Sequence, residues 1–112
     1  AYGDPMFDLA YFLTGSLDPA DRRACERQLV AEHSAAIAAI DPDYDVSTAW
    51  DRYRGHSIAM LLATMAATGS IERNDYNDRM LIALTRRSCA AIRDLDGIAE
   101  AKRLIAQSNA FS

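Results

Sequence analysis

The chain opens with Ala1-Tyr-Gly-Asp-Pro-Met-Phe-Asp-Leu-Ala-Tyr-Phe-Leu13, a stretch that starts a helix with no strand before it. Asp4 can accept a hydrogen bond from a free amide of the first turn. Pro5 suits that turn because its missing N–H is not needed there. Thr14-Gly15-Ser16 follows and is typical of a helix stop. The sequence therefore predicts a first helix over residues 5–13.

The rest of the chain continues the helical pattern. Apolar residues recur at three- and four-residue steps, and no window alternates apolar and polar residues as a half-buried strand does. Further helices are predicted from Asp18-Pro19 to about Ile40, from a Ser47 cap to about Thr68, from a cap at Asn74 or Asp75 to about Leu95, and after Gly97. We therefore expect an all-α fold, a single compact bundle of about five helices over residues 1–112, with a frayed tail at 108–112.

The same periodicities predict which faces are buried. In the third helix the segment 58–67 is apolar nearly all round, as in the central helix of a bundle. On the second helix, Arg22, Arg23, Glu26, Arg27 and Glu32 are expected mostly in solvent. The residues expected to face the core are Cys25, Leu29, His33, Ile37 and Ile40 of the second helix, Tyr76, Met80, Leu84, Ser88, Ala91 and Leu95 of the fourth, and Ile98, Ala101 and Ile105 of the last.

Composition and charge exclude several classes of protein. Half of the 112 residues are hydrophobic and a quarter are charged, which is typical of a globular domain. The net charge of -4 argues against a nucleic-acid partner, which normally requires a basic stripe. The longest apolar run, 58–67, is about half of the ~20 residues that span a bilayer. We expect a cytoplasmic protein that binds neither nucleic acid nor membrane.

Metal and thiol chemistry are also not expected. Cys25 and Cys89 lie in no Cys-x-x-Cys motif and are predicted to be reduced, buried small hydrophobes. His33 and His56 have no ligand at the spacing of a metal site, and His33 is expected in the core. Three aspartates at 41, 43 and 45 form an acidic loop that we interpret as solvated charge rather than as a cation site.

The sequence also lacks a complete set of catalytic groups. A kinase-type site needs a positioning carboxylate, a metal ligand and a phosphate-binding loop or lysine. The chain has no glycine-rich phosphate loop and no His-x-Asp loop, and its only lysine is Lys102.

Three segments together resemble the aminoglycoside phosphotransferase and choline kinase-like family, in particular its ecdysteroid-kinase-like members. The most specific is Gly3-Asp-Pro-Met-Phe-Asp-Leu-Ala-Tyr-Phe-Leu13; Trp50-Asp-Arg-Tyr-Arg54 and Arg86-Arg87 with Asp94-Leu95 are the others. The resemblance implies the helical C-lobe of an ATP-dependent small-molecule phosphotransferase. It places the catalytic loop and the ligands of Mg²⁺ before Ala1, so the chain is expected to be a fragment.

The resemblance also implies partners and cofactors, because it places the catalytic loop and the Mg²⁺ ligands before Ala1. The intact parent would use ATP and Mg²⁺ to phosphorylate a hydroxyl of a small-molecule acceptor. The chain itself would contain no catalytic residue, no metal ligand and no cofactor, and the missing N-terminal lobe would be its partner.

Asp8 is the site residue that the resemblance singles out. In kinase-like folds, a carboxylate at the start of this helix accepts hydrogen bonds from backbone amides of the catalytic loop, which suits a residue that organises that loop. The alternative is that Asp8 only complements the helix dipole, an effect of ~0.3–1 kcal/mol.

A second candidate site is the cluster Trp50, Asp51, Tyr53 and Arg54. Its aromatic faces and charges could line an acceptor pocket and hold a cationic group. Alternatively, Trp50 and Tyr53 anchor their helix in the core from one shared face, while Arg54 pairs with a carboxylate.

A function without catalysis is the alternative for the chain as a whole. In this interpretation it is a free-standing helical interaction or dimerisation module. Self-association through residues 5–13 is expected of the detached C-lobe as well, because Met6, Phe7 and Phe12 on the helix face that would meet the catalytic loop would lack their usual cover.

Overall fold

Six α-helices and one 3₁₀ turn form the part of the chain that the computed structural model describes, residues 3–110. The helices are α1 (Pro5–Ser16), α2 (Pro19–Ile40), α3 (Ala49–His56), α4 (Ala59–Thr68), α5 (Asp75–Leu95) and α6 (Gly97–Ala110), and the 3₁₀ turn is Val46–Thr48. Residues 3–110 contain no strand, which confirms the predicted all-α fold.

The first helix lies at the centre of the bundle and contacts α2, α3, α4 and α5. It buries Met6, Ala10 and Leu13 completely or almost so. As predicted, the Asp4 carboxylate caps it by accepting a hydrogen bond from the Met6 amide at 3.0 Å. The predicted stop after residue 13 is wrong, because Thr14 is buried and its hydroxyl donates to the Ala10 carbonyl, so the helix continues to Ser16.

The helix predicted over 47–68 is divided into α3 and α4, with the break at residues 57 and 58. Ser57 is fully buried there, and its hydroxyl donates to the Arg54 carbonyl at 2.6 Å. Ser47 is not the cap. The Asp45 carboxylate accepts from the Ser47 amide at 2.9 Å and caps the 3₁₀ turn that precedes α3.

The second of these helices, α4, is not the central helix that its apolar sequence predicts. Met60 and Thr64 are buried, but Leu62 is 57 % exposed and Met65 is 63 % exposed. The physical reason is that α1 occupies the centre, so α4 packs on one side only, against α1 and α5.

The buried face of α2 differs by one position from the predicted one. Residues 22, 26, 30 and 34 are buried, whereas Cys25, Leu29 and Ile37 are half-buried and His33 and Ile40 are exposed. Arg22 and Glu26, which were expected in solvent, therefore lie in the interior. The second cysteine, Cys89, is exposed on α5, so the prediction of two buried thiols is also wrong.

The cap predicted for α5 is confirmed at Asn74, whose side-chain oxygen accepts from the Asn77 amide at 2.8 Å. Asp96 ends the helix in the left-handed conformation, with φ of 51° and ψ of 47°. Gly97 then begins α6 close against the Ser57 hydroxyl, where a side chain would collide. Tyr76, Ile98 and Ile105, predicted to face the core, are exposed.

The last helix continues to Ala110. The predicted frayed tail is therefore helical from 108 to 110, and its residues 111 and 112 lie outside the described residues. The helix packs closely on α3, because Gly55 leaves room for the Leu104 side chain.

Candidate functional site

Asp8 lies in the first turn of α1 on its exposed side. Three aromatic residues of the same helix are also exposed around that turn: Phe7 is 42 % exposed, Tyr11 is 40 % exposed and Phe12 is 60 % exposed. Phe7 stacks on Tyr11, with 6.2 Å between the ring centroids. The helix thus presents a carboxylate beside uncovered aromatic side chains. Of the apolar residues predicted to be uncovered here, Met6 is instead fully buried.

The start of α1 is held by residues of α3. The His56 ring nitrogen Nε2 lies 3.0 Å from Asp4 Oδ2, and Arg52 Nη1 lies 3.4 Å from Asp4 Oδ1. Burial tends to raise the pKa of Asp4, but the hydrogen bonds from His56 and Met6 and the charge of Arg52 outweigh it, so the pKa is lowered. The carboxylate is therefore held as an anion that fixes where the chain enters α1.

The cluster predicted on α3 takes part in two sets of contacts. In the first, Tyr53 is fully buried and its hydroxyl donates to Glu26 Oε1 at 2.8 Å, while Trp50 stacks on its ring with 5.3 Å between centroids. In the second, Arg54 lies 3.1 Å from the Asp51 carboxylate and 3.2 Å from that of Glu100 on α6. Whether these residues serve an acceptor stays a prediction.

A groove lies beside Trp50, between α2 and the start of α3, with a volume of about 470 Å³. The Arg27 guanidinium carbon stands 4.1 Å from the centroid of the Trp50 ring at this groove. The sequence prediction placed Arg27 in solvent and gave it no function. Its proximity to Trp50 has no sequence signal, because the two residues are on different helices and 23 positions apart in the printed chain.

A largely buried ionic network links α2, α3 and α5. Arg22 lies 2.9 Å from Glu26 Oε2 and also pairs with Asp94, to which Arg23 donates at 2.6 Å. Burial tends to lower the pKa of Arg22, but its bonds to Asp94 and Glu26 raise it overall. Burial and the neighbouring Glu26 raise the pKa of the Tyr53 hydroxyl. The buried members thus bond to one another.

In the acidic loop, the carboxylates of Asp41 and Asp45 accept hydrogen bonds from residues two positions further along the chain. Asp41 Oδ1 accepts from the Asp43 amide at 3.0 Å, and Asp45 accepts from both the amide and the hydroxyl of Ser47. Within residues 3–110, no three His, Cys, Asp or Glu side chains come together as metal ligands would. In the same part of the chain, every helix is too short or too polar to cross a bilayer.

Comparisons with known proteins supply no relative: no protein-family model, no curated protein and no solved structure matches this chain. The resemblance to the phosphotransferase family therefore stays a prediction.

Proposed function

We propose that this chain is the helical C-lobe of an ATP-dependent small-molecule phosphotransferase of the aminoglycoside phosphotransferase and choline kinase-like class. In the intact protein, ATP and Mg²⁺ would be held by groups that precede Ala1. The reaction would transfer the γ-phosphoryl group to a hydroxyl of the acceptor.

The observation that supports this proposal is which side chains of α1 are buried and which are exposed. Its inner face is buried and its start is fixed by Asp4, yet Asp8 and the aromatic rings of Phe7, Tyr11 and Phe12 remain exposed. A carboxylate among exposed aromatic side chains suits a surface on which a further segment packs and donates N–H groups. The resemblance assigns that segment to the catalytic loop, which Asp8 would organise.

The test uses the product of the full encoding reading frame. With Mg²⁺ and ATP, we expect ADP release that depends on an added alcohol, drawn from amino sugars, choline-like alcohols, sterols and acyl-type hydroxyls. Asp8→Asn should lower kcat about tenfold to a hundredfold, because an amide places a donor against donors and ~1–3 kcal/mol is lost. The thermal midpoint should change little.

Asp21→Asn is the matched control, since Asp21 is an exposed carboxylate in the first turn of α2. A carboxylate that only complements a helix dipole affects stability by a few tenths of a kcal/mol and leaves turnover unchanged. Equal kinetics for the two variants would remove Asp8 from the proposal. Absence of Mg²⁺-dependent ATP binding by the full-length product would overturn the proposal itself.

The exposed aromatic residues of α1 also favour a second candidate function, a helical module that self-associates through residues 5–13. Light scattering of the 112-residue chain at rising concentration tests this second candidate. It requires dimers that Phe12→Ser disrupts, and a monomer at all concentrations would contradict it.

A further inference from the structure

The groove between α2 and α3 presents one cation in an otherwise uncharged lining. Its lining consists of Val30, Ala31, Ser34, Ala35, Val46 and Ala49 together with Arg27 and Trp50. We propose that this groove binds an amphiphilic anion, a small molecule with a carboxylate group and an apolar body. This inference is independent of the phosphotransferase proposal, because it concerns a different surface and can be tested on the chain itself.

Arg27 is positioned before any ligand arrives. Its guanidinium lies on the Trp50 ring, Trp50 stacks on Tyr53, and the Tyr53 hydroxyl is fixed by the buried Glu26. Stacking on an aromatic face covers the flat side of a guanidinium but leaves its N–H edge free to donate. None of the ion pairs within residues 3–110 includes Arg27. The N–H edge of Arg27, which lies on the Trp50 ring without an anion, is therefore available at the groove.

Size and charge define the occupant. The volume of about 470 Å³ lies within the range of small-molecule sites, which is roughly 300–1,000 Å³. Val46 is 51 % exposed, and Ala31 and Ala35 are exposed as well, so an apolar body in the groove would cover side chains that now meet water. A ligand cation would meet Arg27 on the face of Trp50 and be repelled, whereas a carboxylate would accept from its N–H groups.

Trp50 is the chain's single tryptophan, so its fluorescence reports directly on this groove. The experiment titrates the 112-residue chain with octanoate, octan-1-ol and octylammonium, which share a tail and differ in charge. We expect saturable change with octanoate, about tenfold weaker binding of the alcohol, and the weakest binding of the ammonium. The tenfold factor is about that of one hydrogen bond to a charged group.

Two variants and one control locate the binding. Arg27→Gln should remove the preference for octanoate over octan-1-ol, and Ala35→Phe should block all three ligands by filling the groove. Arg79→Gln, an exposed arginine on α5, should behave as the parent chain. Far-ultraviolet circular dichroism of each variant checks that the helices are retained.

Each possible result of these experiments either supports or overturns the proposal. Selective octanoate binding that Arg27→Gln abolishes supports the proposal. Equal binding of the three ligands, no binding, or a change that Arg79→Gln also removes would overturn it. Light scattering adds a further outcome: self-association that Ala35→Phe abolishes and octanoate does not affect would assign the groove to a second copy of the chain and overturn the proposal.

Discussion

The junction of α2 with α5 buries charged side chains, whereas the outer side of α1 exposes apolar ones. At the junction, the charged Arg22 is 1 % exposed and Glu26 is 6 % exposed. On the outer side of α1, the apolar Phe7 is 42 % exposed and Phe12 is 60 % exposed. The buried charges have partners at hydrogen-bond distance within the bundle, while the exposed rings are only partly covered.

The comparison indicates that hydrogen-bond and ion-pair partners, rather than hydropathy, determine whether these side chains are buried or exposed. A buried charge is tolerated when an opposite charge and hydrogen bonds compensate its lost hydration. An exposed apolar cluster is tolerated in a soluble chain but frequently marks a contact surface. Substituting a residue of the junction should therefore lower the free energy of unfolding strongly. Substituting an exposed ring of α1 should change it little.

The largest effect is expected for Arg22→Ala. This change leaves Glu26 buried without its cation, which costs about 3–5 kcal/mol in the free energy of unfolding. Arg23→Ala is the matched control, because Arg23 binds the same Asp94 from a side chain that is 53 % exposed. A pair of that kind contributes about 0–1 kcal/mol. Urea denaturation of both variants measures the difference, and equal losses would contradict the comparison.

Tyr53→Phe should have a smaller effect at the same junction. It removes the hydroxyl that donates to Glu26 but keeps the ring on which Trp50 stacks. The expected loss is about 1–3 kcal/mol, since Glu26 is a buried charged acceptor. Tyr76→Phe, at a position 78 % exposed, should change stability by less than about 0.5 kcal/mol. Thermal unfolding of the two variants is the measurement, and a neutral Tyr53→Phe would show that water replaces the hydroxyl.

The ionic junction should also make stability depend on pH below about 4. The hydrogen bond from Arg23, with help from Arg22, lowers the pKa of Asp94 despite partial burial. Because the folded pKa lies below the unfolded value of about 3.9, this stabilisation is present above that pH. It is lost as the pH falls through the folded pKa.

Urea midpoints between pH 2.5 and pH 7 test this dependence. Asp94→Asn should reduce the slope of the acid side of the profile, because an amide does not titrate, and the slope that remains is expected from other carboxylates of lowered pKa, such as Asp4. A parent profile that is already flat below pH 4 would contradict the assignment to Asp94.

The smallest effect on folding is expected on the outer side of α1. Phe12→Ser should change the free energy of unfolding by less than about 0.5 kcal/mol, because the ring is largely in water. The same variant should still weaken any self-association. A loss comparable to that of Arg22→Ala would mean that the ring packs within the fold after all.

The all-helical fold was predictable because its signals are local. Asp4, Pro5 and Asn74 mark helix starts by chemistry that acts within one turn. The division between α3 and α4 was not predictable, because the buried Ser57 packs against Gly97, which is distant in the sequence. The buried face of α2 was missed for the same reason: the partner of Arg22 is Asp94, 72 residues away.

The residues of the candidate sites also differ in whether their signals are local in the sequence. Asp8 and Trp50 were found from local motifs, and their proposed roles are still predictions. Arg27 was missed because an arginine on a helix surface looks like any solvated charge, and only the fold brings Trp50 beneath it.

The central position of α1 has a consequence for the order in which the chain folds. Its partners α2 to α5 all follow it in the sequence, so the cover of Met6 and Leu13 is complete only when Leu95 has been synthesised. While residues 17–95 are being synthesised, the apolar face of α1 is therefore incompletely covered, and such surfaces bind chaperones or aggregate. Ribosome-bound chains that stop before α5 should be cleaved by protease within α1, and chains that include α5 should resist.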